Sequence, residues 1–410
     1  MSKGKRAAVT VAWLLVGAVA VRLGALVLLG SPPPYGDENA YLIMAQSLAG
    51  LGAPFQYLPG YPGGRLDVFL WWAPLQGILL LPTAWAVNGP LTGRVVSAVT
   101  SGLVVLPLHA IARREYGERA AAWAGWLYAL LPGYVLFGTY LWSENLCVLL
   151  ALVAVWAAYQ GRGVGSGLAW GLTALVRVSS LPWLPVAAVW HWLRSGRSVR
   201  SAARWALPCV ALVVGYSAWN SRRAGYPLLV ADTAGYSLYY GNNPWIDPSD
   251  PVSMAVRSLA AREALGEAET HGEFLSLAAA RGRQFILAHP GLFLLRGVRK
   301  LGWTWGPYTW PVMRIEQGAY PGLLGPARHT VALVVLGGTH LAVLALALVG
   351  AGLGWRHDYT RLVVWLAVVT SLGCFALVGL SRYAYPLMVM GLPMAGYAVA
   401  RVGERQRRRE

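Results

Sequence analysis

Charged side chains are scarce in this sequence, and acidic ones are the scarcest. Charged residues make up 12% of the 410, and Asp and Glu together number 17. A soluble globular domain carries about twice that charged fraction, so the composition excludes an ordinary soluble protein. Several apolar runs reach the ~17–25 residues that cross a bilayer as a helix. Because only helices and closed barrels satisfy their backbone hydrogen bonds in lipid, we predict an all-α polytopic membrane protein.

Cysteine is rarer still. The three residues, Cys147, Cys209 and Cys374, all lie inside apolar runs, and their spacing fits neither a metal site nor a redox motif. We therefore expect them to be inert core residues. No cluster of His, Asp and Cys has the spacing of metal ligands, so we predict no obligatory metal and no other cofactor.

Basic residues are the abundant charge, and they give the chain a net charge of +17. They gather in short segments such as MSKGKR at the N-terminus and ARREYGER at 112–119. This is the pattern of cytoplasmic loops between membrane helices. We therefore expect the lipid bilayer to be a partner of this protein, and we expect no binding to nucleic acid. The predicted location is a bacterial cytoplasmic membrane, with both chain termini in the cytoplasm.

Alternation of these basic segments across the bilayer predicts about ten membrane helices and two large extracytoplasmic loops, 30–93 and 220–327. We expect eight ordinary crossings, at about 7–29, 94–111, 119–138, 145–160, 204–219, 329–352, 361–380 and 385–401. The chain then divides into three parts: a membrane module at 1–219 that includes the first loop, the second loop at 220–327, and C-terminal membrane helices with a basic cytoplasmic tail at 328–410.

Four further segments need a separate interpretation. The segment 68–87 contains Pro74 and Pro82 and several Trp residues, which predicts that it lies in the outer leaflet without crossing. The segment 166–193 has cytoplasmic flanks on both sides, so we predict two short helices turning near residues 179–182. In the second loop, 251–287 has helix-forming composition, and 289–305 is typical of an amphipathic interfacial helix.

Charged residues stand at the predicted outer ends of several membrane helices. Asp37 and Glu38 follow the first helix in SPPPYGDENAY, Glu144 lies in TYLWSENL, and Arg177 and Arg382 lie near two further outer turns. We expect these five charges to converge at one membrane face, where ionisable residues usually serve a function. The alternative is that the acids cap helices and the arginines snorkel or anchor at the interface.

One stretch of the second loop, DTAGYSLYYGNNPW, combines aromatic rings with paired amides. Amides hydrogen-bond hydroxyl groups, and aromatic faces stack on sugar rings, so Tyr240, Asn242 and Asn243 are candidate sugar contacts. The sequence Gly-Asn-Asn-Pro is also good turn chemistry, and the two interpretations are compatible.

Seven segments, read in order, resemble the GT-C superfamily of membrane glycosyltransferases. The resemblance is strongest to bacterial relatives of dolichyl-phosphate-mannose protein mannosyltransferases and of the lipid A aminoarabinose transferase. The segments are DENAY, WWAPLQ, SEN, GLAWGLTALVR, GYSLYYGNNP, HPGLFLLRGVRK and SRYAYP, spread over most of the chain. The resemblance implies the GT-C fold and a polyprenyl-phosphate sugar donor, used on the outer face with inversion at the anomeric carbon.

The resemblance also implies roles for individual residues. Asp37 corresponds to the general base, with Glu38 supporting it and Glu144 as the second acid. Relatives often carry a lysine where this chain has Trp72, so the donor phosphate must contact other cations. The candidates for that contact are Arg177, Arg382, Lys300 and Arg65, and those for the sugar or acceptor are Tyr41, Tyr240, Asn242 and Asn243.

The resemblance names neither the sugar nor the acceptor. The alternative function is a transporter or lipid flippase, which predicts carboxylates inside helices near the middle of the bilayer.

Overall fold

The computed structural model describes residues 3–245, 260–320 and 326–407. Nearly all regular structure in these ranges is helical, with nineteen bounded α-helices. In chain order they are α1 Lys3–Leu29, α2 Asp37–Leu48, α3 Val68–Trp71, α4 Leu75–Leu79, α5 Gly89–Leu103, α6 Val105–Tyr116, α7 Glu118–Leu130, α8 Pro132–Phe137, α9 Glu144–Tyr159, α10 Gly163–Val176, α11 Trp183–Arg194, α12 Val199–Ala224, α13 Ala234–Gly241, α14 His271–Ala288, α15 Pro290–Trp305, α16 Trp310–Glu316, α17 Pro326–Leu353, α18 Asp358–Ala376 and α19 Ser381–Arg407.

Four helical segments of the described chain are long and apolar enough to cross a membrane. They are Thr10–Leu29, Gly89–Tyr116, Thr330–Leu353 and Asp358–Ala376. Helices α9 and α10 are apolar but shorter. The prediction of an all-α, multi-pass membrane protein is confirmed, while the number of ten crossings stays a prediction.

The segment 68–87 does not form a spanning helix. It contains α3, α4 and the 3₁₀ helix Leu81–Ala84, all of five residues or fewer. Pro74 and Pro82 break the run because proline lacks the backbone donor that a continuous helix needs. The segment 166–193 forms the expected two short helices, α10 and α11, with the turn at residues 177–182.

The segment 119–138, a predicted crossing, contains two helices separated by a break. Helix α7 ends at Leu130, Leu131 is extended, and α8 begins at Pro132. A residue before proline avoids the helical region, which explains the break. The buried guanidinium of Arg22 donates to the carbonyl oxygens of Tyr128, at 3.2 Å, and of Tyr134, at 3.4 Å. This side chain from α1 therefore satisfies carbonyls on both sides of the break.

In the second predicted loop, the described residues form helices packed against one another. Helix α14 begins with a capping box in which the Thr270 side chain accepts from the Glu273 backbone and the Glu273 side chain accepts from the Thr270 backbone. Helix α15 coincides with the predicted interfacial helix at 289–305 and exposes Leu294, Leu295 and Val298. Part of the predicted helical stretch 251–287, residues 251–259, lies outside the described residues.

A small antiparallel hairpin, Phe55–Tyr57 with Arg65–Asp67, precedes α3. Asp67 caps α3 by accepting from the Phe69 backbone at 2.9 Å, and it pairs with Arg223 of α12 at 2.7 Å. These two contacts hold α3, and the tryptophans at its end, against the membrane module.

The main core lies among α6, α7, α9, α17, α18 and α19. Glycines let these helices approach closely: a Cβ on Gly350 of α17 would lie 1.9 Å from the Met394 carbonyl oxygen of α19. The three cysteines are free and buried, as predicted.

Candidate active site

A cleft of about 240 Å³ lies where six segments of the chain meet. Most of these segments begin or end a helix, so polar side chains gather around the cleft. The lining residues are Asp37, Tyr41, Trp71, Trp72, Ala73, Ser143, Val176, Arg177, Val178, Ser179, Thr233, Tyr236, Ser237, Tyr240, Val378, Leu380, Arg382 and Tyr383.

Four charged residues form a continuous network at this cleft, which we call the four-charge network. The guanidinium of Arg382 donates from Nη2 to Asp37 Oδ2 at 2.8 Å and from Nε to Glu144 Oε1 at 2.8 Å. Arg177 Nη1 lies 2.5 Å from the same Glu144 oxygen. The network therefore balances two carboxylates with two guanidinium groups, and its members come from four distant parts of the sequence.

The local fold explains why these charges meet. Asp37 and Glu144 open helices α2 and α9, where the positive end of the helix dipole favours an acid. Arg177 follows the last residue of α10, and Arg382 is in the first turn of α19. Each charge thus lies where the chain enters or leaves a helix, at the same side of the molecule.

A tyrosine and a serine connect α2 to the arginines. Tyr41 lies one turn after Asp37, on the same face of α2. Its hydroxyl donates to Ser143 Oγ at 3.0 Å, and Ser143 Oγ also accepts from Arg177 Nη1 at 3.0 Å. Burial, together with the nearby Asp37 carboxylate, raises the pKa of Tyr41, so the hydroxyl stays a donor at neutral pH.

Aromatic rings hold the two arginines in position. The Cζ atom of Arg382 lies 3.5 Å from the ring centroid of Trp142, and that of Arg177 lies 5.7 Å from the ring centroid of Tyr383. A cation over an aromatic face is attracted by the negative face of the ring. The rings therefore restrict both guanidinium groups to orientations that border the cleft.

Glu38 does not join the four-charge network, although the sequence predicted convergence of five charges. Its carboxylate is buried against Arg94 at 3.2 Å and accepts from the backbones of Leu141 at 2.8 Å and Tyr35 at 3.0 Å. Glu38 thus connects the segment before α2 to the segment before Ser143. Glu38 therefore lies away from the cleft lining, and its support of Asp37 stays a prediction.

The structure does not bring Lys300 or Arg65 to the cleft. Lys300 is buried in α15, where Nζ donates to Asn242 Oδ1 at 3.2 Å and to the Phe375 carbonyl oxygen at 3.5 Å. Burial, followed by the nearby Arg296, lowers the pKa of Lys300 to about 8. Arg65 lies in the hairpin and is exposed.

Asn242 and Asn243 are buried, and their side chains bond to backbone. Asn242 donates to the carbonyl oxygens of Leu238, at 2.8 Å, and Ala376, at 2.9 Å. Asn243 donates to the Tyr239 carbonyl oxygen at 2.8 Å and accepts from the Trp245 backbone at 2.9 Å. These contacts favour the turn interpretation for the amides. Tyr240 lines the cleft, and its contact with a sugar stays a prediction.

Sequence reasoning missed several lining residues, namely Trp71, Trp72, Ser143, Thr233, Tyr236, Ser237 and Tyr383. Each lies inside a motif that the sequence did single out. Neutral aromatic and hydroxyl side chains are common throughout a membrane protein, so their residue type alone carried no signal. In the described residues, no group of three or more His, Cys, Asp or Glu side chains could hold a metal ion.

No protein-family model matches this sequence, and no curated protein matches it at a significant level. Solved structures do match. The oligosaccharyltransferase of Archaeoglobus fulgidus, crystallised with Zn and sulfate, superposes with a TM-score of 0.56 at 15% identity, over 96% of this chain and 49% of that chain. The archaeal oligosaccharyltransferase AglB from Archaeoglobus fulgidus, in complex with an inhibitory peptide and a dolichol-phosphate, superposes with a TM-score of 0.52 at 15% identity. The match covers 96% of this chain and 50% of that chain.

A further match is ArnT from Cupriavidus metallidurans bound to undecaprenyl phosphate, with a TM-score of 0.40 at 13% identity, over 98% of this chain and 79% of that chain. This chain spans about half the length of the oligosaccharyltransferase structures that it matches. The likeness to those structures confirms the predicted GT-C membrane fold.

Proposed function

We propose that this protein is an inverting membrane glycosyltransferase that takes a sugar from a polyprenyl-phosphate donor. The single observation that carries this proposal is the four-charge network at the cleft of a GT-C fold. Asp37, whose side chain is 27% exposed, borders the same cleft as the guanidinium groups of Arg177 and Arg382. A base and cations beside one cavity are what displacement of a phosphate by a nucleophile requires.

The proposed reaction exchanges one bond at the anomeric carbon. The acceptor nucleophile forms a bond to that carbon from one face and passes its proton to Asp37. The bond from the carbon to the phosphate oxygen breaks on the other face, and its electron pair leaves with the lipid phosphate. Arg177 and Arg382 stabilise the growing negative charge, and attack opposite the leaving group inverts the anomeric carbon.

Glu144 acts in this proposal through the arginines. Its Oε1 oxygen contacts both guanidinium groups, and it is fully buried. We assign this second acid the role of orienting Arg177 and Arg382. Because the two arginines supply the positive charge, we also propose that the reaction needs no divalent metal, so a chelator leaves the rate unchanged.

A lipid-phosphate donor is supported by the chemistry of the site and by one structural neighbour. The AglB structure with this fold is a complex with a dolichol-phosphate. Two guanidinium groups beside one cleft offer several charged N–H donors to a single phosphate. The extracytoplasmic location of the reaction follows from the positive-inside argument, and the acceptor is left unassigned.

The positions of the acids favour an enzyme over a transporter or flippase. Asp37 and Glu144 both stand in the first turn of their helices. A transporter that used them would place carboxylates within continuous helices near the middle of the bilayer.

The direct test is sugar transfer by the purified protein from a panel of polyprenyl-phosphate sugars, comparing wild type with Asp37→Asn. We expect transfer by the wild type and its loss in Asp37→Asn, with unchanged expression and unfolding. Asp358→Asn is the matched control, since Asp358 also pairs with arginine, at 3.2 Å from Arg194, but outside the cleft. Full activity of Asp37→Asn would remove Asp37 as the base.

Orientation is tested by placing single cysteines at two exposed positions, Arg65 and Glu118. In intact cells we expect an impermeant maleimide to label Arg65→Cys and not Glu118→Cys. The reverse pattern would place the cleft on the cytoplasmic face.

A further inference from the structure

The cleft has two chemically different parts. The charged part is the four-charge network, with Ser143 and Tyr41 beside it. The other part is an aromatic wall, which we define as Trp71, Trp72, Tyr236 and Tyr240. The ring centroids of Trp71 and Tyr236 are 5.0 Å apart. Those of Tyr236 and Tyr240 are 5.6 Å apart, and the two ring planes are inclined by 29°.

Hydroxyl groups accompany this wall. Thr233, Ser237 and Tyr240 follow one another at helical spacing, so they share one face of α13, and all three line the cleft. Thr233 precedes α13, but its side chain does not cap the helix. The face of α13 at the cleft therefore offers aromatic surface and neutral hydrogen-bonding groups.

The charges at the cleft are already balanced among themselves. Among the residues described in the structure, the only charged ones lining this cleft are Asp37, Arg177 and Arg382. Both arginines contact Glu144, and Arg382 also contacts Asp37. A donor phosphate adds one more negative group to this set.

From this composition we infer that the transferred sugar is electrically neutral, a plain hexose or pentose without an amino or carboxyl group. Its apolar C–H face packs on the aromatic wall, and its hydroxyl groups bond to Thr233 and Ser237. This inference rests on the proposed function and narrows its substrate class.

A charged sugar would meet an unfavourable environment. A carboxylate on the sugar would compete with the donor phosphate and two acids for the same two arginines. An ammonium group could pair only with Asp37, and that contact would block the base from accepting a proton. Against the aromatic wall, a carboxylate would also lose water without gaining a partner, which is costly.

The test compares donors that share one polyprenyl-phosphate carrier and differ only in the sugar: a neutral hexose, a neutral pentose, a 4-amino-4-deoxypentose and a uronic acid. We expect kcat/KM for the better neutral donor to exceed that for either charged donor at least tenfold. A charged donor used as well as the neutral ones would overturn the inference while leaving the proposed function intact. No transfer from any donor would remove the proposed function, and the inference with it.

A second measurement locates the sugar at the wall. Ser237→Asp places a carboxylate among the hydroxyl groups, and Ser237→Ala is the matched control without charge. We expect Ser237→Asp to raise the ratio of kcat/KM for the amino sugar over the neutral pentose about tenfold, and Ser237→Ala to leave this ratio unchanged. If the aspartate does not change the ratio, the sugar binds away from Ser237 and the inference is wrong.

Discussion

Replacement of Glu144 by glutamine is the sharpest test of the four-charge network. The substitution keeps the size and shape of the side chain, so it opens no cavity. It removes one negative charge from a fully buried position between two arginines. Arg382 keeps its contact with Asp37, whereas Arg177 is left with the hydroxyl groups of Ser143, at 3.0 Å, and Ser179, at 3.3 Å.

The expected loss of stability follows from these contacts. Glu144 Oε1 lies 2.5 Å from Arg177 Nη1 and 2.8 Å from Arg382 Nε. Removal of one partner from a buried ion pair costs about 3–5 kcal/mol, because the remaining charge stays buried without compensation. Since Arg382 retains a carboxylate, we expect the lower end of this range for Glu144→Gln.

We expect Glu144→Gln to slow sugar transfer strongly, although Glu144 does not itself line the cleft. Both cations that we propose to face the donor phosphate contact Glu144. Loss of one well-placed donor to a developing negative charge lowers kcat by about 10²–10³. We therefore expect kcat of Glu144→Gln to fall about a hundredfold, with the chain still folded.

The assay is unfolding by a denaturing detergent in mixed micelles, followed by the fluorescence of the 20 tryptophans. Glu267→Gln is the matched control, because Glu267 also pairs with an arginine, Arg281, but is 63% exposed. An exposed pair contributes about 0–1 kcal/mol, so this control should unfold like the wild type. Equal stability and equal kcat of Glu144→Gln and Glu267→Gln would refute the argument that Glu144 holds the arginines.

Three further predictions concern stability and use the same assay. Arg94→Met leaves the buried carboxylate of Glu38 unpaired and should lower the free energy of unfolding by about 3–5 kcal/mol. The double variant Arg94→Met/Glu38→Met should lower it by less, and a larger decrease in the double variant would contradict the ion pair. The pKa of Lys300 is about 8 in the folded chain and 10.5 in the unfolded chain. Between these two pH values the unfolded chain binds more protons, so the free energy of unfolding should rise with pH. This rise should vanish in Lys300→Met. Gly350→Ala should destabilise the fold by about 1–3 kcal/mol, because its Cβ would meet the backbone of Met394. Gly352→Ala, on the same helix but with open space around it, should stabilise the fold by up to ~1 kcal/mol. Equal effects of the two substitutions would contradict the close packing at Gly350.

The positions of the four network charges could be predicted from the sequence because helix ends in a membrane protein are easy to locate. Apolar runs mark the helices, and basic segments mark one side of the bilayer. Asp37, Glu144, Arg177 and Arg382 each follow or precede such a run on the opposite side. Their meeting at one cleft required only that the helices pack into a bundle.

The different positions of the Asp37 and Glu38 side chains, one at the cleft and one buried against Arg94, could not be predicted in this way. Successive residues on a helix point about 100° apart, so two adjacent acids face different neighbours. Which of them borders the cleft depends on the rotation of α2 about its axis. That rotation is set by the buried contact of Glu38 with Arg94, which lies 56 residues away in sequence.

Lys300 and Asn242 show the same limit in the second loop. The sequence indicated a basic residue and an amide, each suited to bind a ligand. In the fold they bind each other and the last carbonyl groups of α18, at Phe375 and Ala376. A cation and an amide at a helix C-terminus satisfy carbonyls that lack partners within the helix. Only the packing of α13, α15 and α18 decides between ligand contact and capping.

The two oxygen atoms of the Glu144 carboxylate have different surroundings, and this difference explains how the two arginines are held together. In the described structure, Glu144 Oε2 is buried and has no hydrogen-bond partner, whereas Oε1 contacts two arginines. An unsatisfied buried polar atom costs about 1–3 kcal/mol, and a stable core would avoid it. With both contacts on a single oxygen, Arg177 and Arg382 converge at one point beside the cleft. The fold thus tolerates the cost of one unsatisfied oxygen, and the result is a pair of cations held close together at the cleft, where we propose that the phosphate leaves.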